Sequence, residues 1–445
     1  MTQKIIAVLT AVMIVITMAA LTACQQADTD ATEAAQSAFT ASAADSDETT
    51  AADTAAISVD QGDEVVLTAN ITTDGAIDAT DLFSERDLRQ TADLSEAVSY
   101  TLSDNKDITI TEAGVYIITG SANNASIIID ADDKAKVQLV LNGVTITNDS
   151  TPAIYVKNAD KVFVTTVKDT VNSLTVSGAF TADGDTNTDA VIFSKDDLTL
   201  NGLGTLTISS TDNGITSKDD LTITGGTYNI TCSSDALEAN DSIAIADGVF
   251  TIDTAKDGLH AENDDDNTKG YIYICGGSFS ITAKSDGIQG TTIVQIDGGA
   301  FTISASEGIE GTYVQINGGT ITITATDDGI NGSQKSSAYN PTVEINGGDI
   351  TITMGQGDTD GIDVNGNLYI NGGTVDVTCN SPFDYDGVAE HNGGTIIANG
   401  IETDTITNQM MGGGMGGPGG MQGGMQGGQG GMQGNPPGGM GGFGH

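Results

Sequence analysis

The chain has no tryptophan, and aromatic residues make up only 4% of it, so a surface paved with exposed rings is excluded as its mode of ligand contact. Positive charge is equally scarce. With 15 Lys and Arg against 61 Asp and Glu, the formal net charge is −46. Nucleic acids and anionic membrane surfaces both require a positive face and are excluded as partners. Cations are the natural counterpart. Beyond Cys24, only Cys232, Cys275 and Cys379 remain, an odd number that argues against a disulfide framework. Cys232 and Cys379 fall in one inward column six repeats apart. At about 4.8 Å per stacked strand this is roughly 29 Å, far beyond disulfide reach. No Cys-x-x-Cys metal spacing occurs.

What is present is a repeat. From Asn213 to Gly394 the same phrase returns: an apolar strand, a Gly-Gly turn, an alternating strand, then an acidic residue, glycine and isoleucine, as in VQINGGTITITATDDGI. The second turn glycines, Gly226, Gly248, Gly277, Gly299, Gly319, Gly348, Gly373 and Gly394, recur about every 20 to 29 residues, the length of one β-solenoid coil. Alternation along each strand fixes which side chains point inward. After the glycines these are Tyr228 and Ile230, Phe250 and Ile252, Phe279 and Ile281, Phe301 and Ile303, Ile321 and Ile323, Ile350 and Ile352, and Val375 and Val377. The preceding strand contributes pairs such as Ile243 and Ile245 or Val314 and Ile316. A third set follows the acidic residue: Leu237, Leu259, Ile288, Ile309, Ile330, Ile362 and Val388. Three apolar faces close a triangular all-β coil whose core exists only through stacking.

The termini differ in kind. Lys4, the apolar run Ile5 to Ala20 and then Leu21-Thr22-Ala23-Cys24 read as a signal peptide (1–23) ending in a lipobox, with Cys24 the lipidated residue that anchors the exported chain to a bacterial membrane at the cell surface. Residues 24–60 read as an acidic Ala/Thr/Ser/Asp tether, 61–130 as a cap with the first strands, 131–408 as the solenoid and 409–445 as a Gly/Met/Gln tail. Both terminal segments are too poor in apolar residues to fold, and a monomer is expected.

Chemistry lies in the carboxylates. Asn213, Asp235, Asp257, Asp286, Glu307, Asp328, Asp360 and Asp386 occupy one phase of the coil and form a column. Two unit charges about 5 Å apart repel by roughly 3 kcal/mol at an effective dielectric of 20, so a bare ladder raises its pKa values or binds cations. The alternative role is to cap each turn through its own backbone, beside a glycine at positive φ. Asp183, Asp185, Asn187 and Asp189 alternate as in a calcium loop, although Ser194 stands where an EF-hand needs its bidentate glutamate. Asp264, in the Asn263–Asn267 insertion, lies beside Glu262 and one coil from Asp235 and Glu238. Asp358-Thr359-Asp360 with Asp363 forms another group. Hard oxygen donors without His or Cys select Ca2+. The candidate ligands are therefore Asp183, Asp185, Asn187, Asp189, Asp235, Glu238, Asp257, Glu262, Asp264, Asp360 and Asp363. His260 reads as a corner residue, and Arg86 and Arg89 as partners of Asp81, Glu85 or Asp87.

The segment FSERDLRQTADLSEA (Phe83 to Ala97), followed by ITITEAGVYIITG, VQLVLNGVTI, AIYVKNADKV and the DGI/GG repeats, resembles the bacterial carbohydrate-binding β-helix family typified by a cellulose- and pectin-binding clostridial surface protein. The resemblance spans about residues 65–400. It implies a right-handed single-stranded parallel β-helix of pectate-lyase-like shape. It also implies binding of calcium and of acidic (pectin, polygalacturonate) or cellulosic polysaccharide, without established catalysis. A polyuronate is an anion, so calcium bridging would reconcile it with this acidic chain. Outward Thr251, Ser280, Thr302, Thr322 and Thr351, with Thr231, Thr282, Ser304, Thr324 and Thr353, offer a hydroxyl array to neutral glycan. Two other readings stay open: a calcium-dependent pectate lyase with Lys256 or Lys284 as base, and a non-glycan adhesin or structural solenoid.

Overall fold

The computed structural model describes Val59, Gln61 and residues 64–69, 75–355 and 359–408. The signal segment with Cys24, nearly all of the tether, Asp358 and the Gly/Met/Gln tail lie outside the described residues. Within them the chain is all β, with 34 strands whose ladders are parallel apart from a terminal hairpin between Thr395–Ala398 and Ile401–Thr403. Each strand pairs with its counterpart one coil later. Asp220–Ile223, Thr227–Cys232 and Leu237–Ala239 are followed by Ser242–Ile245, Val249–Thr254 and Leu259–Ala261, with Leu221 opposite Ile243, Tyr228 opposite Phe250 and Leu237 opposite Leu259. This is the three-faced parallel β-helix that the repeat requires.

Alternation decides the core. Every inward residue of the first two faces is buried, and on one face Tyr228, Phe250, Phe279 and Phe301 stack with ring centroids 5.0, 4.6 and 4.6 Å apart. Stacking adds about 0.5–1.5 kcal/mol per pair beyond area burial. The third face departs from expectation at its last member. Val388 is 52% exposed, and Phe383 takes the inward place opposite Ile362. Asp386 is accordingly not in the acidic column, because Ser381 pairs with Asp360. A generic Asp-Gly-Val triplet imitated the motif one turn late.

Glycine serves two purposes. The second glycine of each Gly-Gly turn has positive φ, for example +101° at Gly226 and +97° at Gly319. The glycine after each acidic residue does not, contrary to the expectation for it. A Cβ on Gly287 would instead strike the Gly308 carbonyl and an Ile303 methyl, so close stacking of coils is what demands glycine there. The turns are also tied by an amide ladder. Asn317 donates to Asp297 (2.6 Å), Asn346 to Asn317 (2.8 Å), Asn371 to Asn346 (2.8 Å) and Asn392 to Asn371 (2.9 Å).

Residues 75–97 do not cap the open end. They form a strap along the outer side of one face, from a late coil back to an early one. Ala76 and Ile77 donate their N–H groups to Gln315 and Gln295, Phe83 packs against Tyr273, and Asp87 and Gln90 bond to Thr199, Asn201, Gly202 and Thr224. Ala92, Leu94 and Ala97 then cover Ile117, Val140 and Val167. Gly225 makes room for this crossing, since a Cβ there would overlap Gln90 Oε1.

Candidate functional site

The acidic column is a hydrogen-bonded ladder between coils. Asn213 Oδ1 accepts the Asp235 N–H (2.9 Å), Asp235 Oδ1 accepts that of Asp257 (3.0 Å), and Asp257 Oδ1 accepts that of Asp286 (2.8 Å). The capping role is therefore real, but it serves the next coil's backbone and not the residue's own turn.

At the first part of the column the charges are compensated. Asp235 Oδ2 receives Lys256 Nζ at 2.7 Å and lies 3.3 Å from His260 Nδ1, while His260 Nε2 is 3.4 Å from Glu262. Burial alone would raise the Asp235 pKa, yet the His260 and Lys256 hydrogen bonds bring it down to about 2. His260 is itself buried, not a surface corner. Burial disfavours its charge, but Asp235 and Asp257 outweigh that and raise its pKa. Asp235, Asp257 and His260 could geometrically surround an ion. The Asp235 oxygens are already committed to a lysine, a histidine and a backbone N–H, which fits calcium poorly.

Two coils later the balance reverses. Asp286, Glu307 and Glu310 bring carboxylate oxygens within 4.8 Å of one another. Glu310 is satisfied by Lys335 (2.8 Å), Gln289 (2.7 Å) and Ser333 (2.8 Å). Asp286 has Gln289 (2.6 Å), and Glu307 has Asn331 (2.9 Å). Burial, reinforced by Asp257 and Glu307, pushes Asp286 up to about 8. Burial and Glu310 push Glu307 to about 6. The pattern continues: burial with Asp363 raises Asp328 to about 8, and burial with Asp384 raises Asp363 to about 6. Asn331, 8% exposed, keeps its Oδ1 without a hydrogen-bond partner. A carboxylate set with surplus negative charge fits a hard divalent cation.

The other sequence-derived ligands fare differently. In the Asp183–Asp189 loop, Asp183 accepts from Lys157 (2.6 Å) and Tyr155 (3.2 Å), Asp185 is exposed, and Asn187 donates to Asp189 (2.7 Å). Asp183, Asp185 and Asp189 do not form a carboxylate group close enough to share an ion, although Asp189 Oδ1 is buried without a hydrogen-bond partner. Glu238 is occupied by Asn213 (2.5 Å), Thr216 (2.8 Å) and Lys218 (3.1 Å). Asp264 is exposed in an insertion that folds on itself, where Asn263 Oδ1 accepts the N–H groups of Asp265 and Asp266 and Asn263 Nδ2 reaches Asp241 (2.8 Å). Asp360 and Asp363 belong to the charged stretch. Asp286, Glu307 and Asp328 were read as column members but not as ligands, and Glu310 and Asn331 were missed altogether, although their position three residues after Glu307 and Asp328 placed them beside the column. The outward Thr and Ser columns are exposed as expected, on strands that pair in register. Arg89 pairs with Glu64 and Glu85, whereas Arg86 lies over Phe163.

Comparison with known proteins bears on this arrangement. A carbohydrate-binding domain-containing protein from Acetivibrio thermocellus is 36% identical over 129 residues, 28% of this chain and 44% of that protein, so the chain spans less than half the length of this curated relative. A solved polysaccharide lyase-like protein from C. thermocellum, a gadolinium derivative, aligns with TM-score 0.43 and 25% identity over 59% of this chain and 98% of that one. The family model described as carbohydrate-binding domain-containing protein matches residues 104–359 and 304–413, more than half of the sequence. The chain therefore belongs to the carbohydrate-binding domain-containing protein family.

Proposed function

We propose that this protein is an exported lipoprotein, anchored through Cys24, that holds acidic plant-type polysaccharide such as polygalacturonate at the bacterial surface with calcium and without catalysis. The observation that carries the reading is the carboxylate stretch from Asp286 to Asp363, in which acidic groups outnumber basic ones, in a member of a carbohydrate-binding family. Asp286 and Glu307 would hold the ion, with Glu310 giving up its Lys335 contact to join them. Calcium supplies positive charge that protein and sugar carboxylates can share. The exposed Thr and Ser columns offer hydroxyls to a neutral glucan such as cellulose.

The lyase reading is disfavoured at Lys256, one of its two candidate bases. Burial works against the Lys256 charge, but the Asp235 contact prevails and raises its pKa, so the amine is held protonated, the opposite of what a base requires.

The test is co-sedimentation of the chain, produced without residues 1–23 and with Cys24→Ser, with polygalacturonate, in calcium and then in chelator. Retention that depends on calcium and yields no unsaturated uronide, read by ultraviolet absorbance, supports the proposal. Product formation makes the protein a lyase, and no retention in either condition removes acidic polysaccharide as the ligand.

A further inference from the structure

The whole sequence contains two arginines, Arg86 and Arg89, and both lie on the strap. Arg89 is neutralised by Glu64 at 3.3 Å and Glu85 at 3.6 Å. Arg86 has no carboxylate within ion-pairing distance among the described residues. Its guanidinium lies 4.2 Å from the centroid of the Phe163 ring. The adjacent Asp87 is spent on Lys161 (2.9 Å), Ser84 and Thr199. A half-buried cation without a counter-ion is out of place on a chain of net charge −46 unless something else supplies the anion.

Its position says what that could be. Arg86 stands where two concavities meet, one of about 630 Å³ bounded by Arg89, Glu64, Glu85, Asp93 and Gln138, and one of about 460 Å³ that follows the edge of the strap past Asp81 and Asp87. Both volumes are in the range of ligand sites. The second is lined by Lys161, Asp197, Asp220, Ser242 and Tyr271, which hold one register position in five successive strands. The groove therefore runs along the solenoid axis for four strand spacings, roughly 19 Å. A linear polymer fits such a shape better than a compact metabolite does. Asp197 and Asp220 can accept hydrogen bonds from hydroxyls, and Arg86 alone is a free partner for a carboxylate. Stacking on Phe163 immobilises the guanidinium plane and leaves its edge to form a bidentate pair. One carboxylate among several hydroxyls is the signature of a uronic acid.

We propose that Arg86 receives the carboxylate of a uronic acid residue in a polysaccharide laid along the groove between the strap and the face bearing Phe163. The inference rests on the polysaccharide-binding function above. It adds a direct, cation-independent contact on a different face from the acidic column.

The test measures affinity of the full chain for oligogalacturonate and for its neutral methyl ester, with chelator present throughout and calcium added in a parallel series. Arg86→Gln is expected to bind oligogalacturonate at least about tenfold more weakly while leaving methyl-ester binding unchanged. Lys106→Gln, which removes an exposed charge away from both the groove and the acidic column, should bind as wild type does. Arg86→Lys keeps the charge but loses the fork, so it should show a smaller loss. It also serves as the test if the glutamine variant melts below wild type. Equal binding by wild type and both Arg86 variants, or an equal loss for the ester, overturns the subsite while leaving calcium-bridged binding intact. Wild type that binds neither ligand in either series overturns both.

Discussion

Asp235 and Asp286 occupy the same column of the same solenoid, two coils apart, and they live in opposite electrostatic regimes. Asp235 has a lysine and a histidine and stays ionised far below neutrality, whereas Asp286 faces Asp257, Glu307 and Glu310 and keeps its proton to about 8. Both are buried, so desolvation does not distinguish them. The difference is what the next coil places beside each: Lys256 and His260 in one case, Glu310 in the other. A charge-compensated ladder and a stretch with surplus acid can thus be built from one motif by changing only its neighbours.

The comparison can be broken most forcefully at Asp235. Asp235→Asn should destabilise the protein by about 3 kcal/mol, because it strips a buried ion pair of one partner. Asp286→Asn should cost under about 1 kcal/mol, since that group is already protonated near neutrality. Chemical denaturation of both variants checks the contrast, and equal losses would erase it.

Calcium should act on the other region. At a hundredfold excess over its dissociation constant it adds about 2.7 kcal/mol to wild type relative to chelator. Glu307→Gln combined with Glu310→Gln should abolish that gain and Asp235→Asn should keep it, as read by thermal melting with and without calcium.

A smaller effect isolates the surplus charge. The Glu307 pKa is raised in the folded state from 4.5 to about 6, so folding is favoured by protonation and the associated stability is lost as pH rises through about 6. In chelator near about pH 8, Glu307→Gln should therefore be more stable than wild type by about 1 kcal/mol after solvent screening, an advantage that vanishes near about pH 4. His260 should behave in the reverse sense in the compensated region. Its pKa is also raised in the fold, so the stability from its protonated form is full below its ordinary value and lost as pH rises through the folded one. The deficit of His260→Gln should be about 1 kcal/mol greater at about pH 5.5 than at about pH 9, measured by paired melts.

Much of the fold was legible because a solenoid is written one coil at a time. Period-2 alternation gave Tyr228, Phe250, Phe279 and Phe301 their inward places, and the Gly-Gly pairs marked the turns. The misreading at Val388 came from trusting a three-residue motif over strand register. The candidate site was legible only in part. Asp235 and Asp257 were chosen with Asp360 and Asp363, but nothing in the linear order showed that Lys256 would neutralise the first pair. The alternating Asp183–Asp189 loop satisfied a spacing rule, yet its three aspartates do not gather, and Lys157 and Tyr155 from a neighbouring strand claim Asp183.

The sequence by itself determined the parallel β-helix, its core and the existence of an acidic column, since these follow from a local pattern repeated at a fixed interval. Only the tertiary structure decided which carboxylates are compensated and where the strap runs. Gln90 meets Thr224 across 134 residues and Ile77 meets Gln295 across 218. Contacts at such separations depend on how coils stack and which outer face the strap covers, and neither is encoded in any one repeat.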